Sequence, residues 1–210
     1  MTRILIADDH DVVRDGLRRL LEAQPNCEVV AEAADGKDAI TKALEVRPDI
    51  AVVDYSLPLV NGLEVTRQIR KRLPRTEVLI FTMHDNDTLI DELLKAGARG
   101  FVLKSDAKRE LLEAIDSLAA HKPFFTAHVS EALLTSFTNP PHRESLVLTR
   151  RECQIVQLVA EGHTNKEIGP ILDINPKTVE THRISIMRKL NLPSSAALVR
   201  YAIRNKLVEA

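Results

Sequence analysis

Short apolar runs alternate with longer amphipathic segments along the first 120 residues of the chain. Runs of three or four residues, built mainly from Val, Ile, Leu and Ala, lie at 4–7, 29–31, 50–53, 78–81 and 101–103. Continuous apolar runs of this length are typical of strands that are buried on both faces, as in a parallel sheet. The pattern therefore predicts five buried strands.

The segments that follow these runs carry apolar side chains at helical spacing. An apolar stripe that repeats every three or four residues predicts a helix with one buried face. Five strand–helix units in succession predict an α/β fold with a doubly wound parallel sheet. The first stripe consists of Val12, Val13, Leu17, Leu20 and Leu21, and similar stripes lie within 39–44, 63–73, 89–94 and 111–118.

The rhythm ends after residue 118, and the next segment has the composition of a linker. The stretch TNPPHRES is polar and holds Pro140 and Pro141, which stiffen a chain and remove helix hydrogen bonds. Only residues 130–137 carry a pattern that is compatible with a short helix. We therefore expect a first domain at 1–121 and a linker at 122–145.

The last part of the chain, residues 146–210, has the signals of a small all-α domain. TRRE at 149–152 and TNKE at 164–167 are capping boxes, and Asn175 precedes a proline that suits the first position of a helix. Together with a final helix near 195–205, these signals predict four helices. The short turn between the second and third helices predicts a helix-turn-helix arrangement.

Charge is distributed unevenly between the two predicted domains. Residues 1–145 carry 19 basic and 24 acidic side chains, whereas 146–210 carry 10 and 6, so only the second part is basic. This difference indicates that the second part meets an anionic partner. The chain has no apolar run near the roughly 20 residues of a membrane span and no signal-peptide pattern. With two widely separated cysteines, we expect a cytoplasmic protein without membrane contact.

Polar side chains stand where four of the predicted strands end. Asp8 and Asp9 follow the first strand, Asp54 follows the third, Thr82 ends the fourth and Lys104 follows the fifth. Because the carboxyl ends of parallel strands face a common crevice, we expect these side chains to converge. Three neighbouring carboxylates repel one another and favour a bound cation, and Mg²⁺ prefers carboxylate oxygens. A carboxylate beside this metal can accept a phosphoryl group, whose oxygens a hydroxyl and an ammonium would hold.

Each of these positions has an ordinary explanation when it is considered alone. A strand-end Asp is commonly a helix N-cap, and a strand-end Thr or Lys is commonly a β-former or a solvated charge. The coincidence of all five positions favours a functional site. Ser56 and His84 flank this site. Two explanations of these residues are equally open: they tune the hydrolysis of an acyl phosphate, or they have no role in the chemistry.

The spacing of the strand-end residues resembles that of the receiver domain of two-component response regulators. The resemblance covers essentially all of residues 1–120, including DYSLPLVNG at 54–62 and AGARGFVLK at 96–104. It implies a flavodoxin-like five-stranded sheet with the strand order 2-1-3-4-5. It also implies that Asp54 accepts phosphate from a sensor histidine kinase and that Phe101 is the switch aromatic. The implied Mg²⁺ ligands are Asp8, Asp9, Asp54 and the backbone carbonyl of Ser56, and the implied phosphoryl-binding residues are Thr82 and Lys104.

The third predicted helix of the second part, at about 176–189, would enter the major groove of DNA. Its basic side chains suit phosphates, whereas Glu and Thr can contact cytosine and thymine edges. A solvated charged face is the alternative explanation of the same pattern. The candidate DNA-contacting residues of this helix are Lys177, Thr178, Glu180, Thr181, Arg183, Ile184, Arg188 and Lys189.

The stretches LTRRECQIVQLVAEGHTNKEIG and KTVETHRISIMRKL closely resemble the LuxR-type helix-turn-helix domain of NarL/FixJ response regulators. The resemblance covers the whole of 146–210. It implies a domain that binds double-stranded DNA as a homodimer, with RNA polymerase as a further candidate partner. It adds Thr164, Asn165, Lys166 and His182 to the candidate DNA contacts and implies dimerisation at Val199, Ala202 and Ile203.

The favoured function is a DNA-binding response regulator in which phosphorylation of Asp54 controls dimerisation and transcription. A Mg²⁺-dependent phosphohydrolase is one alternative, but such enzymes usually carry two aspartates separated by one residue, whereas Asp8 and Asp9 are adjacent. The second alternative is a DNA-binding protein whose receiver no longer takes phosphate. The presence of all five key residues argues against it. We therefore expect a transcription regulator rather than an enzyme.

Overall fold

The chain divides into two compact units, Met1–Pro140 and Pro141–Ala210. The computed structural model describes residues 1–84, 87–105, 107–126, 129–131, 148–205 and 207–208. Of the helix expected at 130–137, only residues 130 and 131 are described, and both are helical. The adjacent prolines of the expected linker, Pro140 and Pro141, lie outside the described residues.

The first unit is built on a sheet of six parallel strands. The strands are β1 (Thr2–Ala7), β2 (Cys27–Ala33), β3 (Ile50–Val53), β4 (Glu77–Thr82), β5 (Gly100–Leu103) and β6 (Phe124–Phe125). They lie in the order β2-β1-β3-β4-β5-β6, and all neighbouring pairs are parallel. The predicted α/β class and the predicted order of the first five strands are confirmed.

The sixth strand lies in the segment that was expected to be a linker. Phe124 and Phe125 pair with Gly100 and Phe101 of β5. A run of two apolar residues is too short to be recognised by its pattern. It forms a strand here because it covers backbone groups that β5 would otherwise leave unpaired at the edge of the sheet. Val129, which is fully buried in the same unit, extends the packed region further beyond residue 121.

In the described part of the first unit, five helices cover the two faces of this sheet: α1 (Asp11–Glu22), α2 (Gly36–Val46), α3 (Gly62–Arg72), α4 (Asp87–Lys95) and α5 (Ala107–Ala119). Helices α1 and α5 pack on one face, and α2, α3 and α4 pack on the other. Successive side chains of a strand point to opposite faces, so β1 directs Leu5 into one core and Ile4 and Ile6 into the other. The strands are thus covered on both sides, as their unbroken apolar runs predict.

One residue of the apolar stripe predicted for α1 does not face the sheet. Val12 is 85% exposed, whereas Leu17 and Leu21 are buried. Five residues correspond to a rotation of about 140° around a helix, which directs Val12 away from the face that Leu17 defines. The inclusion of Val12 in the buried stripe is therefore wrong.

Among the described residues of the second unit, 148–205 and 207–208, there are four helices: α6 (Arg150–Ala160), α7 (Asn165–Leu172), α8 (Pro176–Lys189) and α9 (Ser195–Arg204). Their starts match the predicted caps, since Thr149 and Thr164 are N-caps of capping boxes and Asn175 accepts a hydrogen bond from the Lys177 amide. Ile155, Ile168, Val179, Ile186 and Leu198 form the centre of its core, and all are fully buried. None of the helices that the structure describes has both the length and the apolar composition of a membrane span.

Glu152 connects two helices of the second unit. Its carboxylate accepts a hydrogen bond from the Thr149 amide at 2.7 Å and lies 2.7 Å from Nζ of Lys189, the last residue of α8. Burial disfavours the ionised carboxylate, but Lys189 and Thr149 outweigh it and hold the pKa of Glu152 below its ordinary value of 4.5. The same carboxylate therefore caps α6 and attaches the end of α8 to it.

Replacing this carboxylate by an amide, in Glu152→Gln, should reduce the free energy of unfolding of the second unit by about 1–3 kcal/mol at neutral pH, because a charge-assisted contact is lost. The folded pKa lies below the unfolded one. The contribution is therefore fully present above the unfolded value of 4.5 and is lost as the pH falls through the folded pKa. The difference between variant and wild type should shrink in acid. Hydrogen exchange of the α6 and α8 amides, in the variant and in the wild type, measures this difference in the free energy of unfolding.

Glu167→Gln is the matched control for this experiment. Glu167 closes the equivalent capping box of α7 by accepting from the Thr164 amide at 2.7 Å, and the described contacts of the chain include no lysine bound to it. Its replacement should therefore cause a smaller loss than that of Glu152. Equal losses would mean that the contact with Lys189 contributes nothing.

Candidate functional site

The ladder of backbone hydrogen bonds continues into the predicted site residues. The Asp54 amide donates to the Ala7 carbonyl at 2.8 Å, and the Asp8 amide donates to the Ala33 carbonyl at 3.1 Å. The Lys104 amide donates to the Thr82 carbonyl at 2.9 Å. Because these amides pair with the last residues of neighbouring strands, the side chains that follow emerge at one edge of the sheet. The structure thus brings Asp8, Asp54 and Lys104 to the same edge of the sheet.

Lys104 lies between two buried carboxylates. Its Nζ is 2.7 Å from Oδ2 of Asp54 and 2.8 Å from Oδ2 of Asp8. The two aspartates are only 2% and 1% exposed, respectively, so neither charge is stabilised by bulk water. Burial by itself disfavours the charged ammonium, but the charges of Asp54 and Asp8 prevail and raise the pKa of Lys104. The side chain is therefore held as a cation against both aspartates.

Asp9 and His10 occupy the more exposed side of the same cluster. Nδ1 of His10 is 2.9 Å from Oδ1 of Asp9 and 3.3 Å from Oδ1 of Asp8. Burial raises the pKa of Asp9, in spite of the opposing charge of His10. The charge of Asp9, joined by that of Asp8, raises the pKa of His10. Sequence reasoning missed His10, although its position directly after the two aspartates was an available signal.

The cluster has the composition and spacing of a cation site. Asp8, Asp9, His10 and Asp54 each offer one ligand atom, and these atoms all lie within 4.8 Å of one another. Oδ1 of Asp54 is buried and accepts no hydrogen bond from any group in the described part of the chain. A buried carboxylate oxygen without a donor is destabilising unless a cation or another donor reaches it. The oxygen-rich donor set suits a hard divalent cation such as Mg²⁺.

The other predicted residues of the first unit lie around this cluster. Thr82 is fully buried, and its Oγ1 accepts a hydrogen bond from the His84 amide at 3.3 Å. Oγ of Ser56 lies 2.8 Å from Nε2 of His84, so the two flanking residues contact each other. Phe101 is fully buried in the core that α2, α3 and α4 cover. Such burial is ordinary for a large aromatic side chain.

Gly62 fixes the backbone that carries Asp54. Its amide donates to the Tyr55 carbonyl at 2.8 Å and so closes the loop that follows Asp54. A Cβ atom at this position would lie 2.2 Å from the Asp54 carbonyl oxygen, which is well inside van der Waals contact. Only glycine permits α3 to begin so close to the strand end, and this explains the glycine of the DYSLPLVNG segment.

Most of the candidate DNA-contacting residues of α8 project outward, and His182 is half-buried. Ile184 is 64% exposed, which is unusual for a side chain of this size and apolarity. In the segment before α7 and in its first turn, Thr164 and Lys166 are exposed. The exposed members on α8 are Lys177, Thr178, Glu180, Thr181, Ile184, Arg188 and Lys189.

Two of the basic candidates contact other parts of the unit. Lys189 is paired with Glu152, as described above. Arg183 donates from Nη1 to Oδ1 of Asn165 at 2.7 Å and from Nη2 to Oγ of Ser195 at 3.1 Å. The structure thus places Arg183 and Asn165, both candidate DNA contacts, in a contact with each other.

The three residues that the resemblance implied for dimerisation differ in exposure. Ile203 is 38% exposed, and Val199 is half-buried. Ala202 is completely buried within the unit, so its side chain is not available to a second chain in this conformation. A dimer contact through α9 would therefore involve Val199 and Ile203 but not the side chain of Ala202.

Both units match models of known protein families. The model of the response regulator receiver domain matches residues 4–116. The model of bacterial regulatory proteins of the luxR family matches residues 146–202. The two matched ranges fall in the two compact units of the structure.

Individual proteins of this kind are similar over nearly the whole chain. The oxygen regulatory protein NreC of Staphylococcus epidermidis is 38% identical over an alignment of 216 positions, which covers 99% of this chain and 99% of NreC. A LuxR-family two-component response regulator from Aurantimonas sp. SI85-9A1 has a TM-score of 0.62 and 38% identity, over 66% of this chain and 99% of the other. RcsB from Salmonella enterica serovar Typhimurium, solved bound to a promoter in the presence of the phosphomimetic BeF₃⁻, has a TM-score of 0.64 and 26% identity. That match covers 95% of this chain and 97% of RcsB.

Removing the ammonium of Lys104, in Lys104→Met, should destabilise the first unit by about 3–5 kcal/mol at neutral pH, because two buried carboxylates lose their cation. Millimolar Mg²⁺ should recover a large part of this loss if it binds the same carboxylates in the folded state. Hydrogen exchange of the β1 and β3 amides, with and without Mg²⁺, measures both effects.

Lys95→Met serves as the control, because Lys95 is 70% exposed and pairs with Asp91 on the surface of α4. An exposed pair of this kind contributes little. Equal protection of β1 and β3 in the two variants would contradict the importance of Lys104 for the buried carboxylates.

Proposed function

The chain belongs to the response regulators, with a receiver domain joined to a luxR-family regulatory domain, and from this premise we propose that phosphorylation of Asp54 controls DNA binding by the second unit. The protein is a DNA-binding transcription regulator and not an enzyme. The observation that carries the proposal is the Asp54 carboxylate, which is buried beside a lysine and has one oxygen to which no described residue donates a hydrogen bond.

The geometry of the acidic cluster supports Mg²⁺ as the cofactor. Asp8, Asp9 and Asp54 would hold the ion, together with the backbone carbonyl of Ser56. Bound there, Mg²⁺ would neutralise the carboxylates and polarise the phosphoryl oxygens of the donor. The short separation of the donor atoms and the orphan oxygen of Asp54 support this assignment.

The residues of the chain itself divide the phosphotransfer chemistry. Asp54 would attack the phosphorus of the donor with a carboxylate oxygen, forming an acyl phosphate while the donor's leaving group departs. Lys104, already held as a cation beside Asp54, would then contact the oxygens of the new phosphoryl group. The hydroxyl of Thr82 would move toward the phosphoryl group and donate a hydrogen bond to it. Phe101 would then fill the space that Thr82 leaves. The contact between Ser56 and His84 beside this site is compatible with control of hydrolysis, which stays a prediction.

The second unit would read DNA through α8. Its exposed residues include basic side chains for phosphates and Glu180, Thr181 and Ile184 for base edges. The structure of RcsB on a promoter in the presence of a phosphomimetic supports a link between phosphorylation and DNA binding. We infer a homodimer on DNA, a sensor histidine kinase as the phosphate donor and RNA polymerase as a further partner. The cytoplasmic location stays a prediction.

The phosphoacceptor assignment is tested by Asp54→Asn. The wild-type chain, incubated with Mg²⁺ and a small acyl phosphate, should gain one covalent phosphate by mass spectrometry, and the variant should gain none, because an amide is not a nucleophile of this kind. Asp15→Asn, at an exposed position of α1, should be modified like the wild type. Stoichiometric phosphate on the Asp54 variant would overturn the assignment.

The DNA-binding assignment predicts a separate effect on salt dependence. Lys177→Gln and Arg188→Gln should each weaken binding to a mixed-sequence duplex and reduce the slope of log K against log salt by about 0.9, because each removes one phosphate contact. Fluorescence anisotropy at several salt concentrations measures the slope. Lys71→Gln, at an exposed position of α3 in the first unit, should leave it unchanged. Unaltered slopes for both α8 variants would mean that Lys177 and Arg188 do not contact the phosphate backbone.

A further inference from the structure

The four basic candidates of α8 fall into two groups according to their surroundings. Lys177 and Arg188 are exposed, and the described contacts include no ion pair for either side chain. Lys189 is paired with Glu152 of α6, and Arg183 is bonded to Asn165 and Ser195. A basic side chain on a DNA-reading helix therefore cannot be assigned to a phosphate from its charge alone.

Arg183 joins three helices with one guanidinium group. It lies in the middle of α8, whereas Asn165 is the first residue of α7 and Ser195 is the first residue of α9. Two different nitrogens of the guanidinium make the two contacts, at 2.7 and 3.1 Å. The planar guanidinium holds its donors at fixed angles, so bonding both oxygens at once restricts where α7 and α9 begin relative to α8.

The backbone charges at the two helix starts do not attract the guanidinium. The N-terminus of a helix carries a partial positive charge, which disfavours a neighbouring cation. The attraction therefore comes from the two side-chain oxygens and not from the helices themselves. A lysine would keep the charge at this position but could not span both acceptors in the same fixed geometry.

The guanidinium of Arg183 lies beside an open groove, so few other contacts link the two helix starts there. A groove of about 640 Å³ lies between the starts of α7 and α9, and Gly162, Asn165, Arg183, Ser195 and Val199 are among its lining residues. Helix α7 packs mainly against α8, whereas α9 packs mainly against α6. Arg183 thus connects two helix starts that are separated by a groove.

We propose that Arg183 is a positioning residue that sets the orientation of α8 relative to α7 and α9, and that it acts on DNA through Asn165 and Ser195 and not by contacting a phosphate. The proposal rests on the proposed DNA-binding function of the second unit. It leaves Lys177 and Arg188 as the phosphate-contacting cations of α8. The three residues Arg183, Asn165 and Ser195 are called the Arg183 brace below.

The first test compares Arg183→Lys with Arg183→Ala in the full chain, using anisotropy with a mixed-sequence duplex. If the brace matters, both variants should weaken binding by a similar factor of about ten, because both break the two-acceptor geometry. The lysine variant should keep the salt slope of the wild type. If Arg183 instead contacts a phosphate, the lysine variant should bind nearly as the wild type does, and the alanine variant should lose about 0.9 in slope. That result would overturn the proposal.

The second test asks whether Arg183 acts through its two partners. In a chain that carries Asn165→Ala and Ser195→Ala, the further change Arg183→Lys should cause no additional loss of affinity, because the brace is already broken. An additional loss as large as the one measured in the wild-type background would show an action independent of these partners and would contradict the proposal.

The third test needs no DNA and so separates the brace from the proposed function. Hydrogen exchange at the first turns of α7 and α9 should be faster in Arg183→Lys than in the wild type, whereas Lys177→Arg should leave it unchanged. Unchanged exchange in Arg183→Lys would overturn the brace even if the protein binds DNA. Conversely, failure of the wild-type chain to bind any duplex would refute the DNA-binding function while leaving the brace to be judged by exchange.

Discussion

The contact of one lysine with two buried aspartates is the interaction on which the first unit depends. Asp8 and Asp54 stand at the ends of neighbouring strands, and both are almost fully removed from water. Two carboxylates in such a place would repel each other and lose hydration, so the fold is compatible with them only when a cation lies within reach. Lys104 supplies one cation from the end of β5. The same arrangement leaves one Asp54 oxygen without a donor among the described residues, which suits a site that accepts a metal ion and a phosphoryl group.

The second unit uses cations in a related way but for a different purpose. Arg151 donates to the Leu172 carbonyl, Lys189 pairs with Glu152, and Arg183 bonds to two helix starts. A domain of four short helices has a small apolar core, so polar contacts between helices contribute to the position of α8. Part of the positive charge that distinguishes this segment is thus used within the domain. The excess of basic residues indicates the class of partner but does not identify the side chains that contact it.

The accuracy of the sequence-based predictions followed the length and regularity of each pattern. The first five strands and the helix caps were predictable, since each depends on a local run or a local spacing of residues. Strand β6 was missed because Phe124 and Phe125 form too short a run, and their pairing depends on the edge that β5 presents. Val12 was misplaced because an apolar residue in the first turn was counted with a stripe to which its angular position does not belong.

The sequence by itself determined which elements form and which chemistry is available, because helix and strand periods, caps and strand-end carboxylates are properties of neighbouring residues. It also determined that Asp8, Asp9, Asp54, Thr82 and Lys104 belong to one edge, since a parallel sheet brings the ends of its strands together. Only the tertiary structure decided which partners each charge finds. The pairing of Lys104 with both aspartates and the bonds of Arg183 to Asn165 and Ser195 depend on distances between residues far apart in the chain. Charge and periodicity do not encode such distances, because a long basic side chain on a helix can reach solvent, a ligand or a neighbouring helix from the same backbone position.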